Sequence, residues 1–153
     1  AAIAALLHAV RLGGWQGYRS LRLPLVWCLH LAYTWIPLGF ALKAVHLLAG
    51  DAWSGHWLHG LTIGAAAAMI LAVMTRASLG HTGRPLVAAA PIATAYLLLS
   101  ASALVRVLAP ALPGADYLWT VVLAGLLWLA AFALFLVVYT PILFRPRVDG
   151  RPG

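Results

Sequence analysis

Four long apolar blocks, Leu23 to Leu48, Trp57 to Leu79, Leu86 to Leu108 and Tyr117 to Phe144, constrain this chain more than any other feature. Each is about 20 residues or longer, the length that carries a helix across a bilayer core at roughly 1.5 Å rise per residue. Lipid offers no hydrogen bonds to an open strand edge, so these blocks must be helices. A hydrophobic fraction of 64% beside a charged fraction of 8% excludes a water-soluble fold, in which the charged share is about 25%. The sequence therefore predicts an all-α, polytopic transmembrane helix bundle of four full spans. Ala1 to Val10 is apolar too but about half a span long. It lacks the charged start and small-residue cleavage site of a signal peptide, and reads as the end of a preceding membrane helix. Residues 1 to 153 are then expected to form a single membrane domain, a C-terminal piece whose partners include the transmembrane helices that come before it.

The formal charge of +7 is distributed by loop. Arg11, Arg19 and Arg22 precede the first span, Arg76 and Arg84 lie at the exit of the second, and Arg145, Arg147 and Arg151 lie in the tail. The other two connections carry Asp51 and Asp116 instead. Basic and acidic loops alternate, which by the positive-inside rule puts the basic loops and the C-terminus in the cytoplasm. Because no single basic face is formed, no nucleic-acid partner is expected; the partner of these arginines is the lipid bilayer. Cys28 stands alone and allows no internal disulfide.

Ionisable residues inside spans are costly and draw attention as functional candidates. His30 lies about two turns into the first span. His46, His56 and His59 gather at the far end of the first helical hairpin, and His81 follows the second span. Imidazole is the commonest protein ligand for metals and haem iron, yet the chain holds no HExxH, CxxCH or CxxC. A histidine at headgroup level can equally be a hydrogen-bonded amphipathic side chain, the reading favoured for His8, His46 and His56. Pro37 predicts a kink in the first span. Gly60, Gly64, Ala68 and Ala72 form a smooth ridge on the second, suited to close helix packing. Lys43 and Arg106 are near span ends and are expected to snorkel to water, with pairing to an anionic cofactor group as the second reading.

The stretch "MTRASLGHTGRPL", residues 74 to 86, is the densest polar motif in the chain. Gly80 and Gly83 offer backbone freedom, and Pro85 is suited to the first turn of the next helix. A tight turn explains the glycines and the proline. It does not require Thr75, His81 and Thr82, which would suit a ligand and hydrogen-bond partners for carboxylates such as haem propionates.

Together with "LHLAYTWIPLGFALKA" (residues 29 to 44), "LHGLTIGAAAAMILAV" before it and "YTPILFRPRVDGRPG" at the C-terminus, this motif closely resembles the NnrS family of bacterial inner-membrane proteins, over essentially the whole chain. The resemblance implies a multi-pass protein of about a dozen spans, binding haem and copper, linked to nitric oxide metabolism, denitrification and protection against nitrosative stress. Nitric oxide is then a possible ligand, and no defined catalysed reaction or catalytic residue follows. Carried over onto this sequence, the matching residues are His30, His59 and His81 as metal or haem ligands, with Arg76 and Arg84 holding anionic groups. Two readings from other classes stand beside it: a membrane transporter or channel bundle whose polar residues line a path, and a non-enzymatic membrane regulator.

Overall fold

The computed structural model describes residues 1–150, so Arg151 of the basic tail lies outside the described residues. The chain folds into five helices: α1 (Ala2–Gly14), α2 (Pro24–Ala49), α3 (Trp53–His81), α4 (Ala90–Leu108) and α5 (Tyr117–Leu143). No strand occurs among the described residues. Helices α2 to α5 are each long and apolar enough to cross a membrane, so the chain is a multi-pass membrane protein. The short α1 runs against α2 and buries none of its own residues completely.

Helix α4 is the centre of the bundle and α5 its exposed flank; half of the α4 apolar window is buried against 17% of that in α5. Side chains of α2 to α5 meet in one core: Cys28 and Ala32, Leu71 and Ala72, Tyr96 and Leu99, Phe135 and Tyr139. The Ala- and Gly-rich seams let backbones approach, which in lipid replaces hydrophobic driving force with packing contact. At the α2–α3 seam the Trp35 indole lies against Gly60 and occupies the space that a Cβ on Gly64 would need, while Leu61 fills the corresponding space at Gly39. The expected ridge therefore carries the packing, as Gly60, Gly64, Ala68 and Ala72 are all buried.

Two local features differ from the sequence expectation. Within α3, residues Gly60–Ala67 wind as a π-helix, a rare, wider coil with i→i+5 hydrogen bonds. Here the widened segment is the one that accommodates Trp35. The third span begins at Ala90 rather than Leu86. Pro91 lies in its first turn, and Pro85 lies outside the helix altogether. Pro37 remains inside a continuous α2.

Candidate functional site

The GHTGRP segment is a helix stop with a specific hydrogen-bond pattern. The Arg84 amide bonds back to the Leu79 carbonyl at 2.9 Å and the Gly83 amide to the Gly80 carbonyl at 3.2 Å. Gly83 adopts φ +70°, the left-handed conformation that closes such a Schellman motif. Only Gly83 uses its conformational freedom; Gly80 is helical. Thr82 is buried and its Oγ1 donates to the Ser78 carbonyl at 2.6 Å, capping the helix end. Thr75 is 0% exposed and hydrogen-bonds the Tyr96 hydroxyl while donating to the Ala72 carbonyl. Two of the three donors expected to face a ligand thus bond protein groups instead: Thr75 links α3 to α4 through Tyr96, and Thr82 caps its own helix.

The C-terminal tail closes over this turn. Arg147 Nη1 donates to the His81 carbonyl at 2.8 Å, and the Val148 amide to the Thr82 carbonyl at 3.3 Å. These bonds satisfy carbonyls that a helix end leaves without intrahelical partners, and the guanidinium complements the negative end of the α3 dipole. Arg147 also grips Asp149 through Nε and Nη2, and the Asp149 carboxylate rests where a Cβ on Gly83 would stand. The carboxylate beside it holds the Arg147 pKa above its ordinary value. The two polar motifs of the sequence, residues 74 to 86 and the tail, are therefore one assembly.

His81 is exposed at the edge of a cleft of about 450 Å3. Arg76 lies on the same wall, with Ala72, Val73, Ala77 and Gly80 at helical spacing, and Leu29 and Leu86 opposite. The volume falls in the range of small-molecule and cofactor sites. Arg76 also borders a second cleft of about 280 Å3, shared with Arg22 and Leu86. Arg84 is half-buried and directs Nη1 at the Thr82 carbonyl, 3.4 Å away, so it braces the turn.

The other histidines lie elsewhere. His30 is half-buried beneath the connection from α1, with Gly17 against its ring and Trp15 edge-on at 5.8 Å. Its Nδ1 lies 3.1 Å from the Val26 carbonyl, an acceptor, so Nδ1 carries the proton and Nε2 keeps a lone pair. His59 sits at the opposite end of the bundle, where its Nε2 accepts from Arg106 Nη2 at 2.9 Å. Arg106 is 7% exposed and turns inward to this bond, contrary to the expectation that it snorkels. Lys43 stacks its ammonium 4.4 Å from the centroid of Trp57. His8 pairs with the Tyr33 hydroxyl at 2.7 Å, and His46 binds the Asp51 carbonyl and the Ser54 hydroxyl, so both serve local structure. His30, His59 and His81 are not brought together, and among the described residues no group of three or more His, Cys, Asp or Glu is arranged to hold a metal ion.

Sequence reasoning missed the Arg106–His59 pair. The signal was present, since both are charged or polar residues near the same end of adjacent spans, but nothing in the spacing says that they point at each other. No curated protein and no solved structure matches the chain. A family profile described as NnrS protein matches residues 1–147. That match covers nearly all of the chain, including the α3 stop and Arg147 of the tail that docks on it, so this multi-pass membrane protein belongs to the NnrS family and is associated through it with the response to nitric oxide.

Proposed function

We propose that this chain binds haem at its basic end and takes part in nitric oxide metabolism and nitrosative stress protection in a bacterial inner membrane. The observation that carries the reading is the cleft in which an exposed imidazole, His81, and a guanidinium, Arg76, share a largely apolar wall. Haem asks for that donor set: an imidazole nitrogen for iron, a cation for carboxylates, and apolar surface for the macrocycle. In this reading His81 would supply the imidazole nitrogen to the iron, and Arg76 would pair with a haem carboxylate. Arg84, one turn of chain beyond His81, fixes the backbone that presents the imidazole and adds positive potential. When bound, haem iron supplies a position at which nitric oxide binds.

His30 retains a free Nε2 lone pair and serves as a second candidate nitrogen. His59 becomes a ligand through Nε2 only by giving up its bond with Arg106. The copper that the family implies meets no three-donor set among the described residues, so no copper chemistry is assigned to them. Basic residues at the 76–84 and 145–147 end argue for a cytoplasmic placement of that end and of the C-terminus. Preceding helices of the same protein, where present, would flank the open faces of α1 and α2.

Optical titration of purified full-length protein with haem tests the reading. Loss of the Soret band in His81→Ala, with the band kept in His8→Ala, is the expected outcome. An unchanged spectrum in His81→Ala overturns the assignment to His81, and an unchanged spectrum in His30→Ala, His59→Ala and His81→Ala alike overturns the whole reading.

A further inference from the structure

Far from the haem cleft, the last turn of α4 buries a cation that the described residues do not neutralise. Arg106 is 7% exposed, its Nη2 is held by His59, and its Nη1 is buried with no hydrogen-bond partner. A guanidinium in a membrane span is costly, and one with an orphaned nitrogen more so. Among the described residues the one ion pair joins Arg147 and Asp149 at the other end of the chain's fold. Asp116, the nearest carboxylate in sequence, accepts instead from the Trp119 amide as the α5 N-cap. The C-terminal dipole of α4 offsets part of the charge but supplies no acceptor for Nη1.

Arg106 lines a cleft of about 300 Å3 between α3 and α5, together with Tyr117, Ser102 and Trp128. The Tyr117 ring lies under the guanidinium, 5.3 Å from its carbon, and its hydroxyl is 3.5 Å from Nη2. Because this oxygen accepts from Arg106, its own proton is available to another acceptor. Ser102 is already committed to the Ala124 carbonyl at 2.8 Å. The cleft thus borders two unused donors against apolar walls, the buried charged Nη1 of Arg106 and the phenolic hydroxyl of Tyr117. With the hydrogens of Nη2 engaged by His59 and Tyr117, a planar anion with two oxygens has one charged N–H on Nη1 and one phenolic O–H to take up. We propose that Arg106 and Tyr117 form a binding site for a small, freely diffusing planar anion of the carboxylate type, entering from the acidic-loop end of the bundle. His59 is its positioning residue: by occupying Nη2 it fixes the rotation of the guanidinium and leaves Nη1 for the ligand.

The probe is formate, added to full-length protein in nanodiscs of zwitterionic phosphatidylcholine, with chloride as the control at equal ionic strength. The readout is the thermal unfolding midpoint. Formate is expected to raise the midpoint of the native protein in a saturable way and to leave that of Arg106→Gln unmoved, since a ligand that binds only the folded state stabilises it. Tyr117→Phe keeps the charge and is expected to raise the half-saturating formate concentration about tenfold, the effect of one hydrogen bond to an anion. Should Arg106→Gln not fold, the Tyr117→Phe shift alone decides the question. A native midpoint that formate and chloride affect equally overturns the proposal, as does a formate response that survives in Tyr117→Phe unchanged.

Discussion

The two ends of this bundle handle positive charge in opposite ways. At the basic end Arg76 and His81 are exposed, and Arg147 makes its bonds in contact with water. At the acidic-loop end the charge of Arg106 is drawn inside and set against His59 and Tyr117. A charge in water costs little and can serve any partner that arrives, whereas a buried one must be held by its neighbours. Histidine shows the same contrast: His81 contributes its backbone carbonyl to the tail and leaves its ring to the cleft, while the ring of His59 is already part of the packing. The lesson is that burial alone does not identify a ligand. Of this pair the more buried imidazole is the one with a structural task.

The largest effect expected from this contrast is all-or-none. His81→Ala should abolish the Soret band of haem-loaded protein while changing stability by no more than about 0.5 kcal/mol, as for other exposed positions. The complementary substitution inverts the pattern. His59→Ala removes the shorter of the two bonds of the Arg106 Nη2, leaving it only the 3.5 Å contact with Tyr117, and should cost about 1–3 kcal/mol of stability, read as a lower unfolding midpoint, with the Soret band kept. Loss of haem in His59→Ala at unchanged stability would erase the distinction between the ends.

Much of the architecture was legible because lipid imposes a coarse rule. Block length and composition predict four spans, and the span expected over Trp57 to Leu79 is observed with a preceding 3-10 turn and an end at His81. The small-residue ridge is legible for the same reason, since Gly60 and Gly64 have no other use in a span than close approach. The π-helix was not legible in the spacing; it coincides with the segment against which Trp35 of a different helix packs. Pro85 and Pro91 illustrate a second limit. Both suit a helix start, and the choice between them is made by the tertiary position of the α3 stop, not by local preference. The donors of residues 74 to 86 looked alike in sequence, yet Thr75 and Thr82 face protein acceptors whereas His81 faces the cleft. Which way each points follows from helical phase relative to α4, fixed only once the helices pack.

A smaller effect probes what keeps the basic end rigid enough to present His81. Tyr96 lies in the first half of α4 with its hydroxyl on Thr75, and Trp27 of α2 packs edge-on against its ring at 5.8 Å. Tyr96→Phe removes the hydroxyl and keeps the ring. Thr75 retains its bond to the Ala72 carbonyl, so the cost should be that of one ordinary hydrogen bond, about 1 kcal/mol. A parallel weakening of haem affinity would tie this core contact to the cleft. Unchanged stability would show that the basic end draws its rigidity from the α2–α3 seam instead.

The smallest effect concerns the tail. Arg147 bonds the His81 carbonyl and Asp149 at the surface, where water replaces either partner readily. Arg147→Ala should therefore leave the global unfolding midpoint unchanged and act only locally: the Val148 amide, now held to Thr82 by a bond of 3.3 Å, should exchange its hydrogen faster, as expected of a segment whose opening is independent of the core. Because the Schellman motif closes α3 without help from the tail, exchange at the Arg84 amide should stay slow in the same variant. Equal acceleration at both amides would mean that the tail, rather than Gly83, terminates the helix, and the basic end would then depend on a long-range clasp as much as the opposite end depends on Arg106.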